Sequence, residues 1–163
     1  MRSIFLNIGW MRFYQGLDND SIVGGGSHVD EYGEGGEIYN FLDRKGTTYG
    51  YVQPARSGIN ITRLGAKLDD SYVDDVLVVW IATKPGGGAR IIGWYKHATV
   101  FRKVQTLQLR IKGKHQFVHY YIKAKSKYCH LKDYDERIFE IPRGVKGGLG
   151  QSNVWFADSK ESL

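Results

Sequence analysis

The chain has 163 residues, of which 42% are hydrophobic and 25% charged, a composition typical of one globular domain. No apolar run approaches the roughly 18 residues that a membrane-spanning helix needs, and we expect a cytoplasmic protein without a secretory signal. The single cysteine, Cys129, excludes an internal disulfide and a Cys-x-x-Cys site. We therefore expect one domain, residues 1–163, that is held together by packing and has no cofactor or metal.

The net charge of +6 is distributed unevenly along the chain. Residues 76–132 contain twelve Lys or Arg and no Asp or Glu, whereas the remaining 106 residues contain 11 basic and 17 acidic residues. The basic block is also rich in Trp, Tyr and Phe, and cations interleaved with aromatic rings suit contact with phosphates and stacking on bases. The pattern favours a nucleic-acid partner over a face that is basic only for solubility.

Short β-branched and aromatic runs separated by glycine predict a mainly β protein with a few short helices. In the amino-terminal half we predict strands at 3–8, 48–53 and 59–63, helical turns at 18–23 and 69–74, and a helix at 37–44. The glycine-rich segment 24–36 is predicted to be a loop.

Two hairpins are predicted in the basic block. The first joins strands 76–83 and 89–101 through the turn Lys84-Pro85-Gly86-Gly87-Gly88. The second joins strands 106–111 and 116–122. A turn of helix is predicted within 132–139, before Pro142 ends it.

Aromatic residues stand beside small polar residues at several places in the sequence. A pocket for an extruded base needs flat apolar walls and a few Asn, Ser or backbone groups that read the polar edge of the base. Each aromatic residue taken singly is better explained as core, but their recurrence on one basic domain indicates that two or three line a pocket. The candidate base-binding residues are Trp10, Tyr14, Asn40, Phe41, Trp94, Tyr95, Ser152, Asn153 and Trp155. The candidate phosphate-binding residues are Lys84, Arg90, Lys96, Arg102, Lys103, Arg110, Lys112 and Lys114.

The sequence contains the motifs Ile8-Gly9-Trp10, Tyr14-Gln15-Gly16, Gly24-Gly25-Gly26, Glu37-x-x-Asn40-Phe41, Tyr49-Gly50-Tyr51, Ile92-Gly93-Trp94-Tyr95 and Ser152-Asn153-Val154-Trp155. Together these motifs resemble the amino-terminal domain of certain bacterial HNH-type and related nucleases. The resemblance spans nearly the whole chain and is to the PUA-like superfamily, with EVE, YTH, ASCH and SRA domains as relatives. It implies a small twisted β-barrel flanked by short helices.

The resemblance also implies a function. Such domains of modification-dependent restriction enzymes flip a modified base, a methylated or hydroxymethylated cytosine or N6-methyladenine, into an aromatic cage. We therefore expect a reader of modified double-stranded DNA, without catalytic activity in this chain. In the parent protein we expect a fused nuclease domain or a homodimer.

Two alternatives stay open. One is an RNA-binding PUA-like module, which would contact single-stranded or structured RNA. The other is a small nuclease that uses His115 or His119, which would share a strand face because their spacing is even.

Overall fold

The computed structural model describes residues 2–24, 36–111, 113–142, 150 and 152–157. These residues form strands and short 3₁₀ helices, so the prediction of a mainly β domain is confirmed. The strands are β1 (Arg2–Ile8), β2 (Thr47–Gly50), β3 (Tyr72–Thr83), β4 (Ala89–Ile111), β5 (Lys114–Lys125), β6 (Cys129–Leu131), β7 (Glu140–Ile141) and β8 (Val154–Trp155). The 3₁₀ helices are η1 (Gly36–Tyr39), η2 (Ile61–Leu64), η3 (Ser126–Tyr128) and η4 (Tyr134–Glu136).

The strands form one mixed sheet in the order β2-β5-β4-β3-β1-β8, and β6 and β7 also pair with β4. β1 runs parallel to β3, whereas the other pairs are antiparallel. Both predicted hairpins are present, as β3–β4 and β4–β5. In the β3–β4 turn the N–H of Lys84 donates to the carbonyl of Gly88 at 2.9 Å. Gly86, Gly87 and Gly88 all have positive φ, which explains the run of glycines.

β4 is 23 residues long and changes partner along its length. Its first residues pair with β6 and β7, and its later residues pair with β5. Between the pairs Val100↔Ile122 and Gln105↔Tyr120, β4 has four intervening residues and β5 has one. An irregularity of this kind bends a strand and redirects its side chains. Phe101 lies within this irregularity and Tyr120 at its edge.

The main core is built by alternate residues of the central strands, whose side chains point to one face of the sheet. In β1 these are Ile4, Leu6 and Ile8, which are all buried. Trp80 and Tyr95 are fully buried, and their ring centroids lie 5.2 Å apart. Some of the aromatic residues of the basic block therefore build this core.

Several predictions of local structure are wrong. The strand predicted at 59–63 is replaced by η2, which ends at Leu64 and is followed by Gly65, whose φ is 91°. The helical turn predicted at 69–74 instead leads into β3, which begins at Tyr72. The helix predicted at 37–44 is reduced to η1. By contrast, η4 confirms the turn of helix predicted within 132–139.

The segment predicted as a helical turn at 18–23 is not helical. The carboxylate of Asp20 accepts hydrogen bonds from the backbone N–H groups of Arg12 and Phe13, at 2.8 and 2.7 Å. Side chain to backbone bonds of this kind compete with helix formation. The loop predicted at 24–36 lies outside the described residues except at its two ends. None of the helices in the described part of the chain is long and apolar enough to cross a bilayer.

Candidate nucleic-acid interface

Three of the predicted cage rings are buried. Trp10 is 3% exposed, and Tyr14 and Tyr95 are 0% exposed. The Tyr14 hydroxyl donates to the carbonyl of Gly9 at 2.5 Å and accepts from the N–H of Met11 at 3.1 Å. Burial raises the pKa of Tyr14. These rings have no open face for a base in this conformation.

Asn40 and Phe41 also belong to the packed interior. The side-chain amide of Asn40 donates to the carbonyl of Tyr51 at 3.0 Å and accepts from its N–H at 2.8 Å. The hydroxyl of Tyr95 donates to the carbonyl of Asn40. Phe41 is half-buried against Tyr14 and Tyr95, at centroid distances of 5.7 and 5.6 Å. These contacts hold the segment after η1 against the sheet, and they occupy the amide that was predicted to read a base edge.

Trp94 lies on the other side of the sheet. Its ring is half-buried and lies 4.7 Å from the ring of His130, measured between centroids. It lines a cavity of about 390 Å³, named here the Trp94 groove, in which the predicted phosphate ligand Lys96 also lies. The other lining residues are Leu77, Val79, Ile91, Lys132 and Phe139. The groove offers apolar walls and two lysines, but no amide or hydroxyl side chain among its lining residues.

The predicted residues near the carboxyl terminus are placed apart from the other rings. Trp155 packs on Phe5 at a centroid distance of 4.8 Å. The amide of Asn153 donates to the carbonyl of Gln53 at 3.0 Å and accepts from the amide of Asn7 at 3.2 Å. Ser152 lines a second cavity, of about 340 Å³. This cavity, named here the Arg63 pocket, is lined by Pro54, Ala55, Arg56, Gly58, Ile59, Asn60, Arg63, Ser152, Val154 and Phe156.

Two of the predicted phosphate ligands contact groups of the protein itself. The guanidinium of Arg102 donates to the carbonyls of Asp70 and Lys67, both at 2.9 Å. Arg90 lies 3.8 Å from the carboxylate of Glu140. The structure therefore gives both arginines partners within the protein.

The other predicted phosphate ligands are exposed but dispersed. Lys84 lies in the β3–β4 turn, Lys103 in the middle of β4, and Arg110 and Lys114 near the β4–β5 turn. Lys112 lies outside the described residues. The structure therefore does not gather these cations into one patch.

A row of four aromatic rings crosses four neighbouring strands. The ring of Tyr72 in β3 lies 5.9 Å from Phe101 in β4, which lies 5.8 Å from Tyr120 in β5. Tyr120 in turn lies 4.8 Å from Tyr49 in β2. Tyr72 is 50% exposed and the other three rings are partly exposed. These four residues are named here the aromatic row.

Charged and polar groups flank the aromatic row. The ammonium of Lys123 lies 5.7 Å from the centroid of the Phe101 ring. A shallow cavity of about 260 Å³ beside it contains Tyr49, His97, Lys123 and Lys125. Burial, and then the neighbouring Tyr49, raises the pKa of Tyr120, so its hydroxyl stays neutral at physiological pH. The surface thus combines uncharged rings with lysines.

Acidic groups lie at the β3 end of this surface. The hydroxyl of Thr99 donates to the carboxylate of Asp74 at 2.6 Å. The Nδ1 atom of His97 lies 2.6 Å from the carboxylate of Asp75. The side of the row toward β5 and β2 is therefore the better match for phosphate.

The histidines of the nuclease alternative lie on β5. His119 is 3.1 Å from the hydroxyl of Thr106, measured from Nδ1, and His115 is paired in register with Arg110. No described contact joins either histidine to a carboxylate. Among the described residues, no group of three or more His, Cys, Asp or Glu could hold a metal ion.

Comparison of the chain with family models, curated proteins and solved structures found no match. The resemblance to the PUA-like superfamily therefore rests on the motifs in the sequence.

Proposed function

We propose that this chain is a nucleic-acid-binding domain that binds through the aromatic row and its lysines. The observation that carries the proposal is the continuous line of rings from Tyr72 to Tyr49, with Lys123 beside Phe101. Bases stack on aromatic rings of this kind with about 1 to 3 kcal/mol per base. Lysines beside the rings supply the contacts to phosphate that accompany stacking.

The position of the row within the basic block supports the proposal. Phe101, Tyr120 and Lys123 all fall within residues 76–132, which contain no carboxylate. A phosphate approaching this part of the surface meets Lys123 and Lys125, whereas the carboxylates of Asp74 and Asp75 lie on the β3 side, where they contact Thr99 and His97. A bound nucleic-acid strand would therefore place its phosphates on the side of the row toward β5 and β2.

The narrower proposal follows from the family resemblance. Within this function, the chain reads a modified base in DNA and targets a nuclease that belongs to the same parent protein. The buried Trp10, Tyr14 and Tyr95 do not supply the cage in this conformation, so a flipped base would use the half-buried Trp94 or the Arg63 pocket. An RNA target is the alternative partner for the same surface.

The test is fluorescence polarisation with labelled oligonucleotides of one sequence, as single-stranded DNA, single-stranded RNA and duplex DNA. Affinity should fall steeply between about 50 and about 500 mM salt, because bound lysines displace counterions from phosphates. Binding that is absent, or that does not change with salt, would refute the proposal.

A second panel tests the narrower proposal with duplexes that carry unmodified, 5-methyl, 5-hydroxymethyl or N6-methyl bases. A preference for one modification supports a reader. Equal affinity across the panel would reject the reader and leave general nucleic-acid binding intact. Competition between the best duplex and RNA of the same sequence then decides between DNA and RNA.

A further inference from the structure

The Arg63 pocket has a lining suited to an anionic, planar ligand. Arg56 and Arg63 bring two cations to it, and Asn60 and Ser152 bring an amide and a hydroxyl. Among the described residues that line it, none is Asp or Glu. The pocket lies outside the basic block, in a part of the chain where acidic residues outnumber basic ones. Its positive lining is therefore a local feature of the fold.

The loop that forms one wall is fixed against β4. The N–H of Ile59 donates to the carbonyl of Arg102 at 3.0 Å. A Cβ atom at Gly58 would lie 2.2 Å from the same carbonyl oxygen, so only glycine allows this approach. On the opposite side, the amide of Asn153 donates to the carbonyl of Gln53. Both walls are thus held by contacts within the protein.

Asn60 and Ser152 present polar groups that a ligand in the pocket can reach. Asn60 precedes η2 but its side chain makes no capping hydrogen bond, and no described contact uses its amide. An amide offers one acceptor and two donors, which match the edge of a nucleobase. The Ser152 oxygen accepts from the N–H of Val154 at 3.1 Å, which leaves its O–H able to donate.

The arginines complete the site. The guanidinium of Arg63 lies 4.4 Å from the centroid of the Phe156 ring. Its plane provides a flat cationic surface, and guanidinium groups bind phosphate through paired N–H donors. Arg56 is exposed at the same cavity. The Trp94 groove, in contrast, has apolar walls and no amide or hydroxyl to read a base.

We propose that the Arg63 pocket binds one nucleotide, with the phosphate on Arg56 and Arg63 and the base edge on Asn60 and Ser152. The nucleotide is either free or extruded from a bound strand, and the second source rests on the proposed function. The Arg63 pocket and the aromatic row are neighbours. The pocket wall at Gly58 and Ile59 lies against Arg102 and Lys103, which directly follow Phe101 of the row.

The test is an NMR titration of the whole chain, with the backbone amide shifts as the readout. The probes are nucleoside 5′-monophosphates, the matching nucleosides and inorganic phosphate. A monophosphate should shift the amides of Asn60 and Arg63 and should bind more tightly than the nucleoside or phosphate alone, because the pocket contacts both parts. An absence of shifts at these residues, or shifts confined to the aromatic row, would overturn the inference.

Two variants make the test specific. Asn60→Ala and Arg63→Gln should each weaken monophosphate binding by about tenfold, the effect of losing one good hydrogen bond or charge contact. Lys67→Gln is the control, because it removes one exposed cation that is not among the described lining residues of the pocket. Since Arg63 packs on Phe156, thermal unfolding checks that its variant is folded, and Asn60→Ala decides the result. Equal affinity of Asn60→Ala and the wild type would overturn the inference.

Binding measurements with duplex nucleic acid decide whether the nucleotide is free or extruded from a bound strand. Weaker binding of Asn60→Ala to a duplex with one unpaired nucleotide, with unchanged binding to a fully paired duplex, indicates an extruded nucleotide. An effect limited to free monophosphate indicates a free nucleotide. If Phe101→Leu leaves strand binding unchanged while Asn60→Ala weakens monophosphate binding, the proposed function fails and the pocket stands. If Phe101→Leu weakens strand binding while Asn60→Ala leaves monophosphate binding unchanged, the proposed function stands and the nucleotide pocket is rejected.

Discussion

The ring of Phe101 meets the ring of Tyr120 nearly edge to face, with centroids 5.8 Å apart and an angle of 84° between the planes. The contact lies at the irregularity in the β4–β5 pairing, between the pairs Val100↔Ile122 and Gln105↔Tyr120. The two rings join an aromatic pair on β3 and β4 to another on β5 and β2. A local irregularity in one hairpin thus makes a continuous surface from residues far apart in the sequence.

Lys123→Gln should lower the salt dependence of nucleic-acid binding. The ammonium beside Phe101 is proposed to contact one phosphate, so the slope of log K against log salt should fall in magnitude by about 1. The measurement is a salt titration by fluorescence polarisation. Lys67→Gln, an exposed lysine outside the basic block, serves as the control. A slope unchanged in Lys123→Gln would remove Lys123 from the interface.

Arg102→Met should reduce stability and leave the salt slope unchanged. The variant removes donors to the carbonyls of Asp70 and Lys67, so we expect a loss of about 1 to 3 kcal/mol in the free energy of unfolding. Urea denaturation measures this loss. Lys103→Met is the matched control, since that side chain is exposed. If Arg102→Met instead lowered the slope of log K against log salt and left stability unchanged, Arg102 would be a phosphate ligand.

Arg137→Met should be among the more destabilising substitutions. Arg137 is 2% exposed, and its guanidinium donates to the carbonyls of Met11 at 2.6 Å and Arg12 at 2.7 Å. Burial lowers the pKa of this guanidinium, which nevertheless stays charged at neutral pH. Losing it leaves buried carbonyls without donors, at a cost of about 2 to 4 kcal/mol. Arg12→Met, which removes an exposed guanidinium, should cost less than about 1 kcal/mol in the same urea experiment.

Cys129 should make stability fall at alkaline pH. Burial raises the pKa of its thiol from 9.0 to about 12, so the folded protein keeps a proton that the unfolded chain releases above about pH 9. The unfolded state is therefore favoured as the pH rises from about 9 toward about 12. The urea midpoint followed by circular dichroism should decline less in Cys129→Ala than in the wild type over about pH 8 to 10. If the urea midpoint declined equally in Cys129→Ala and the wild type, the titration of Cys129 would not account for the loss of stability.

The sequence predicts the central hairpins because their turn chemistry and β-branched runs are local signals. The absence of Asp and Glu from residues 76–132 is likewise visible in a residue count. The sequence does not predict the aromatic row, because the row depends on cross-strand register and the register is shifted between Val100 and Gln105. Tyr72 moreover lies in the acidic segment 69–74, which the sequence predicts to be a helical turn.

For the predicted aromatic cage, the sequence identifies suitable residue types but not whether their side chains are exposed. Trp10, Tyr14 and Tyr95 have the residue types that a base pocket needs, but the same types also fill a core. Sequence spacing does not distinguish an inward ring from an exposed one where strands are irregular. Of the Arg63 pocket the sequence predicts only Ser152 as a site residue, because the pocket joins the segment around η2 to the segment around β8.

The most direct test of nucleic-acid binding by the aromatic row compares Phe101→Leu with Phe13→Leu. Both remove a phenyl ring, but Phe13 is 52% exposed and lies on the segment after β1, outside the row. The affinity for single-stranded DNA or RNA at about 50 mM salt should fall at least about fivefold in Phe101→Leu and stay unchanged in Phe13→Leu. Circular dichroism confirms folding, and Tyr72→Leu repeats the test at the exposed end of the row. Equal affinities for all three variants and the wild type would contradict the account.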